Sequence, residues 1–306
     1  MAQYGAPYSG SKSQLAESII DFIPPHKRFV DLFGGGGAMT HCACTYGKNK
    51  FKTVLYNELD PLVVEYFQNA INGVYNMDKH VPRVVDRDTF FQECDHDMMV
   101  ANVWSFGNDG KSYCYGKHIE EFKLKAFEML TRATVSERYT AYRDFIRYAK
   151  KQIEDIYRPE ELEPYERLQN LQSLQNLQSL ERLERLERLQ SLERLQITNQ
   201  SYEDYIYRDG DVVYCDIPYE TGAKHGQYMH KGFDFQKFYD WAYNADFPVY
   251  FSSYEISDDR FKSELIKIKT SHLAISNNTK VNEFIYMNQE AYKQQCESRL
   301  FEVFDL

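Results

Sequence analysis

Residues 28–33 read Arg-Phe-Val-Asp-Leu-Phe, then come four glycines, Gly34 to Gly37, and then Ala38-Met39-Thr40. Strand-favouring residues that run into a glycine turn and at once into a helix start restrict a chain to an α/β design. Such a turn lets backbone N–H groups approach a ligand closely, with a helix N-terminus behind them. The pattern is not G-x-G-x-x-G with a phosphate-binding lysine. Four glycines in a row also suit a merely flexible loop, but the flanking strand and helix favour a ligand-holding turn. Thr53 to Tyr56 reads as the next strand, and Glu58 lies 21 residues beyond Gly37. An acid about 20 residues past the turn, at the end of the second strand, is where ribose hydroxyls are gripped. Asp60 and Pro61 suit the N-cap and first position of the following helix.

A second stretch, Val212 to Tyr219, reads V-V-Y-C-D-I-P-Y. Four strand-favouring residues lead into an acid, a proline and an aromatic, so a buried strand should present a carboxylate and a ring at the sheet edge. Open α/β sheets bind ligands at that edge. Asp216, Pro218 and Tyr219 fit the D-P-P-Y tetrapeptide of amino-methyltransferases, with Ile217 replacing the first proline. The residue types suit that chemistry. An exocyclic amine is a poor nucleophile because its lone pair is delocalised into the ring, and acceptors for its two hydrogens favour the developing positive charge. Asp216 supplies one acceptor, the Ile217 carbonyl can supply another, and Tyr219 offers a face for stacking a base. A turn acid and a packed aromatic are the structural alternative.

At 306 residues the chain has room for an α/β domain and a smaller one. No apolar run approaches a membrane span, and the N-terminus lacks the regions of a signal peptide, so a cytoplasmic protein with no membrane partner is expected. Six cysteines are scattered, with Cys42 and Cys44 one residue apart, and indicate neither a disulfide framework nor a metal site. The net charge of −10 counts against nucleic acid only if spread evenly. Lys111 to Lys151 holds ten Lys or Arg against five Asp or Glu, so a local basic face is available.

Three motifs stand in a fixed order: Pro7-Tyr8-Ser9-Gly10-Ser11-Lys12, similar to a P-x-x-G-x-K opening; Asp31-Leu32-Phe33-Gly34-Gly35-Gly36; and Asp216-Ile217-Pro218-Tyr219. Together they resemble the Dam-like N6-adenine DNA methyltransferases, in a form similar to phage and prophage enzymes. The resemblance implies a Rossmann-like mixed sheet of the S-adenosylmethionine-dependent methyltransferase type with an inserted, mainly helical recognition domain. It implies S-adenosylmethionine as cofactor, with Tyr8 and Lys12 helping to bind it, Asp31 and Gly34 at its amino-acid part and Glu58 at its ribose. Phe33, Gly36 and Asp216 complete that set, and no metal is implied. The catalytic residues would be Asp216, Ile217, Pro218 and Tyr219, and the partner double-stranded DNA. Asn199-Gln200-Ser201-Tyr202 occupies the place where many relatives carry an acid near the cofactor's adenine, and Ser201 is the candidate substitute.

Residues 1–85 and 196–306 are expected to form the catalytic domain and 86–195 the inserted target-recognition region. Within the insert, Trp104 to Gly116 reads as an aromatic hairpin with a glycine-rich turn, whose rings either stack on bases beside Lys111 and Lys117 or fill a satellite core. Phe122 to Lys151 reads as one or two amphipathic helices. From Leu168 to Leu195, leucine recurs at every third residue, ten times. On an α-helix a three-residue step slips the stripe by about 60° per repeat, which excludes a simple coiled-coil seam. The tract reads as a repeat-expanded helical spacer without chemistry of its own, with a short solenoid as the alternative. The Thr221 to Lys231 loop is expected to close over substrate, with His225 and His230 as loop residues without a chemical step.

The function expected is direct methyl transfer from S-adenosylmethionine to the N6 amine of a flipped adenine. N4-cytosine methylation is a close alternative, because the same acceptors suit either amine. A catalytically weak DNA-binding protein that keeps the cofactor pocket is a rival from another class.

Overall fold

The computed structural model describes residues 3–117, 119–156, 178–220, 232–271 and 279–304. Among them, strands β1 (His26–Asp31), β2 (Phe51–Asn57), β3 (Leu195–Thr198), β4 (Asp211–Cys215), β5 (Val249–Ser253), β6 (Lys262–Ser271) and β7 (Thr279–Met287) form one sheet in the order β3-β2-β1-β4-β5-β7-β6. The helices are α1 (Ala16–Phe22), α2 (Ala38–Thr45), α3 (Pro61–Ile71), α4 (Arg87–Glu93), α5 (Met98–Val103), α6 (Glu120–Thr131), α7 (Val135–Ile156), α8 (Gln178–Glu187), α9 (Phe235–Asn244) and α10 (Gln289–Phe304). No helix among the described residues is long and apolar enough to cross a membrane.

The first five strands of the order are parallel, while β7 runs antiparallel to both β5 and β6. Connectivity reverses between β1 and β4, which makes their carboxyl ends the topological switch point. This is the Rossmann-like mixed sheet that the resemblance implies, on the α/β design expected from the glycine turn. Successive residues of β1 and β4 serve opposite faces: Phe29, Val212 and Tyr214 pack with α1 and α2, whereas Val30, Val213 and Cys215 pack with Phe238, Tyr239 and Ala242 of α9. Burial on both faces is why Phe29-Val30 of β1 and Val212 to Cys215 of β4 read as continuous apolar stretches. At the opposite end of the sheet, Arg28 donates from Nε and Nη2 to the two oxygens of Asp211 at 2.7 and 2.6 Å, joining β1 to β4. The Tyr205 hydroxyl also donates to Asp211.

The chain divides into two compact units. One, comprising Met1–Gly5, Ser11–Val64 and Leu192–Leu306, holds the sheet; the other comprises Ala6–Gly10 and Glu65–Ser191. In the second unit, the hairpin is closed by Phe106 N–H donating to Ser112 O at 2.6 Å and Cys114 N–H to Trp104 O at 2.8 Å, with a bridge between Ser105 and Tyr113. Trp104, Tyr113 and Tyr115 are buried, and the Tyr113 hydroxyl donates to the Val85 carbonyl at 2.8 Å. Of the two roles open to these rings, they fill a core; only Phe106, 63% exposed, projects from the turn. Helices α6 and α7 pair through Phe122 and Phe145, whose centroids are 4.9 Å apart.

The described end of the leucine tract is not a free spacer. In α8 the burial follows the triplet, with Leu183 and Leu186 enclosed and Leu189 enclosed just beyond. Arg182 donates to the Val103 and Ser105 carbonyls at 2.7 and 2.5 Å. From Arg188 to Ser191 the chain tightens to a 3₁₀ turn, in which residues three apart eclipse, and the drift of the leucine stripe stops. Leu195 then opens β3 opposite Val54. Leu168 to Leu177 and the loop Thr221 to Lys231 with His225 and His230 lie outside the described residues.

Candidate active site

Because β1, β2, β4 and β5 are parallel, they deliver Asp31, Glu58, Asp216 and Tyr254 to one edge of the sheet. Strand β7 runs the other way and pairs Phe284 with Ser253, so Glu283 arrives at that same edge.

The glycine turn is shaped by close approach. A Cβ on Gly34 would overlap the ring of Tyr56, and Gly37 has φ +70°, a conformation open to glycine. The Gly34 N–H donates to Asn57 O at 2.7 Å and the Tyr56 hydroxyl to Gly35 O at 2.8 Å. Gly36 is buried, with its carbonyl against Gly5. Glu58 holds the turn as well: Oε2 accepts from Gly35 N–H at 2.9 Å, while Oε1 accepts from Leu59 and Asp60 N–H at 2.9 and 3.1 Å. Asp60 caps α3 by accepting from Leu62 N–H, as its position before Pro61 suggested.

Asp31 is enclosed beneath the turn. Its Oδ2 accepts from the Thr40 N–H at 3.0 Å and the Thr40 hydroxyl at 2.7 Å, whereas Oδ1 is buried with no hydrogen-bond partner among the described residues. Burial pushes its pKa up to about 7 against the Thr40 bonds, and the charges of Asp216 and Glu58 add to the rise. An acid in this condition suits a cationic ligand group, because a cation would satisfy the orphaned oxygen and restore the charged form. Phe33 faces elsewhere: it stacks on Tyr202 at 5.5 Å and meets Phe233 and Phe238 edge-on.

On the β4 side, Lys12 and Asp216 form an ion pair across 204 positions of sequence. Glu283 Oε1 lies 3.5 Å from the same ammonium and accepts from the Tyr219 hydroxyl at 2.7 Å. Burial alone would pull the Lys12 ammonium down, but the charges of Asp216, Tyr214 and Glu283 outweigh it and hold the pKa above that of ordinary lysine. Burial, Glu283 and Asp216 push the Tyr219 phenol far above its usual range. The Tyr219 ring stacks on Tyr254 with centroids 4.0 Å apart and planes 11° from parallel, and the Lys12 ammonium stands 4.7 Å from its centre. Ile217 is buried among the residues under α9, and Pro218 is half-buried.

The structure therefore brings Lys12, Asp31, Gly34, Gly36, Glu58, Asp216, Ile217, Pro218 and Tyr219 into the unit that holds the sheet. Tyr8 belongs to the second unit, where the Tyr66 hydroxyl donates to the adjoining Pro7 carbonyl at 3.2 Å. Ser201 is occupied in capping, accepting from Glu203 N–H at 3.3 Å. Glu283 and Tyr254 were not expected. The available signal for Glu283 was an acid inside the apolar run Val281 to Met287, and for Tyr254 an aromatic directly past the end of β5.

Two solved structures of the rRNA methyltransferase AviRa from Streptomyces viridochromogenes are similar at 13% identity each. Their TM-scores are 0.33 and 0.36, over 89% and 95% of this chain and 80% and 88% of theirs. No curated protein matches the chain. The model of the D12 class N6 adenine-specific DNA methyltransferases matches residues 8–240, a span that begins at Tyr8 and runs through the glycine turn, Glu58 and Asp216 into α9. The chain belongs to the D12 class N6 adenine-specific DNA methyltransferase family.

Proposed function

We propose that the protein transfers the methyl group of S-adenosylmethionine directly to the N6 amine of an adenine flipped out of duplex DNA. The observation that carries this reading is the pair of acids at the switch point: Asp31 ends β1 with a buried, unsatisfied oxygen, and Asp216 follows β4 on the neighbouring strand. One acid is enclosed and suits the cofactor's ammonium; the other, 22% exposed, is open to a substrate amine.

The residues fit the cofactor. Asp31 would take its amino group, the close-packed turn at Gly34 and Gly36 its amino-acid backbone, and Glu58 a ribose hydroxyl through Oε2, which accepts only the Gly35 N–H and keeps a second lone pair. Lys12, paired with Asp216, stands beside this set, whereas Phe33, packed on Tyr202, Phe233 and Phe238, is not part of it. When bound, the cofactor supplies an electrophilic methyl group. The chain's own part is to orient the amine: Asp216 and the Ile217 carbonyl accept its two hydrogens, aim its lone pair and stabilise positive charge as it develops. Replacing the tetrapeptide's first proline by Ile217 leaves that carbonyl in place and removes one rigid constraint. Tyr219, backed by Tyr254, gives an aromatic wall for the base.

Residues 86–195 would engage double-stranded DNA. Along α7, Arg138, Arg143 and Arg147 accompany exposed Tyr139 and Tyr142, a combination suited to phosphate and stacking contacts.

The test is transfer of radiolabelled methyl to mixed-sequence duplex DNA followed by nucleoside analysis, with Asp216→Ala as control. N6-methyladenine from the wild type, and loss of turnover with retained cofactor binding in Asp216→Ala, is the expected result. N4-methylcytosine as product overturns the base assignment, and cofactor binding with no labelled DNA favours a catalytically weak DNA-binding protein.

A further inference from the structure

We propose that Glu283 is a positioning residue for the transfer: it is a second seat for the Lys12 ammonium, which it takes when Asp216 turns to the target amine. This rests on Asp216 being the amine acceptor, as proposed above.

Lys12 and Glu283 are 3% and 1% exposed, whereas Asp216 is 22% exposed. Of the three, Asp216 is the one a ligand can reach, and Lys12 cannot retreat into water when one arrives. Yet an ammonium on Asp216 opposes the role given to that carboxylate. It neutralises the carboxylate charge that should favour the amine, and it puts positive charge beside a nitrogen that is itself becoming positive. Moving the cation onto another acid removes both obstacles without stranding a buried charge, which would be strongly unfavourable.

Glu283 is placed for this. Its Oε1 is already 3.5 Å from Lys12 Nζ, so the exchange needs a small rotation of a flexible side chain. The Tyr219 hydroxyl donates to the same oxygen and fixes the glutamate, and the Tyr219 ring, 4.7 Å from the ammonium, gives the cation an aromatic face beside both acids. The antiparallel run of β7 brings Glu283 to the carboxyl edge, where the parallel strands deliver their own acids. The simpler alternative is that Glu283 only balances a buried lysine, and kinetics separate the two.

Glu283→Gln keeps the length of the side chain and an oxygen for the Tyr219 hydroxyl but removes the charge that would receive Lys12. The expected result is a single-turnover methylation rate lowered about tenfold or more, with cofactor affinity and KM for DNA within about twofold of wild type, the pattern of an interaction made only on the way to transfer. Glu283→Asp keeps the charge at a shorter reach and should recover part of the rate. It also tests the idea if the amide variant does not fold, because a wild-type rate in Glu283→Asp would then overturn it. An unchanged rate in Glu283→Gln, beside an inactive Asp216→Ala, overturns the role of Glu283 and leaves Asp216 standing. Activity in Asp216→Ala overturns the underlying reading instead. A joint fall of rate, cofactor affinity and thermal midpoint in both Glu283 variants makes the residue structural and also overturns the proposal.

Discussion

Asp31→Asn separates what the enclosed acid costs the fold from the part proposed for it in holding the cofactor. The carboxyl's pKa rises from 3.8 to about 7 on folding, chiefly through burial. That is about three units at about 1.4 kcal/mol each, so ionised Asp31 costs the ligand-free fold roughly 4 kcal/mol. The sign follows from which state ionises first. Below pH about 4 the carboxyl is protonated both folded and unfolded, and there is no cost. Between about 4 and 7 the unfolded chain releases the proton while the native chain keeps it, so native stability declines; above about 7 the decline ends. Asparagine has an oxygen for the two Thr40 bonds and no charge to bury, so the variant should lack this decline. All other titrating groups are common to the two proteins, and the difference between them reports Asp31. Urea unfolding without cofactor should show Asp31→Asn gaining about 2–3 kcal/mol on wild type between pH 5 and 8. Cofactor affinity should move oppositely: the wild type tightens as Asp31 ionises through about pH 7, and the variant binds more weakly with a flatter profile. Parallel stability curves for the two proteins would refute the reasoning.

Tyr219→Phe keeps the ring on Tyr254 but loses the bond to Glu283, and should lower kcat/KM by about 1–2 kcal/mol in effective barrier; Tyr219→Ala should cost more, and equal losses would show that the ring contributes nothing. Asp211→Ala strands the buried Arg28 guanidinium far from the site, so denaturant unfolding should show a loss of about 3–5 kcal/mol with cofactor affinity unchanged. Leu186→Ala, at a fully enclosed position of the leucine tract, should cost about 2–5 kcal/mol, whereas an exposed spacer leucine would cost almost none.

Strands β1, β2 and β4 are readable in the sequence because burial on both faces makes Phe29-Val30, Val54 to Tyr56 and Val212 to Cys215 apolar at successive positions. Asp31, Glu58 and Asp216 were readable with them, since each ends or follows a parallel strand near the switch point. Strand β6 was not read: Lys262, Glu264, Lys267 and Lys269 give it the charged character of an edge strand, and its pairing shows only once β7 lies beside it. Glu283 escaped for a related reason. An acid between Asn282 and Phe284 reads as solvent-facing until Lys12, far away in sequence, is placed 3.5 Å from it. The hairpin rings carried two readings because Trp104 and Tyr113 look alike in sequence whether they meet a base or Phe127 and Phe90. The leucine tract looked like a spacer because its period matches neither an α-helix nor a strand, and the 3₁₀ turn that reconciles it occupies only Arg188–Ser191.

The pairing of β3 with β2 bears on how the tract tolerates changes in length. β2 ends at Asn57 and β3 begins at Leu195, so joining them closes a loop of almost 140 residues. Closure entropy grows only with the logarithm of loop size, and one more triplet ahead of Gln178 would cost at most ~0.02 kcal/mol. Closure entropy then sets almost no penalty on gaining or losing a three-residue unit upstream, whereas losing one between Leu183 and Leu189 would remove an enclosed leucine. Variation in copy number among related chains should fall at the amino-terminal end of the tract and leave its carboxyl-terminal end constant.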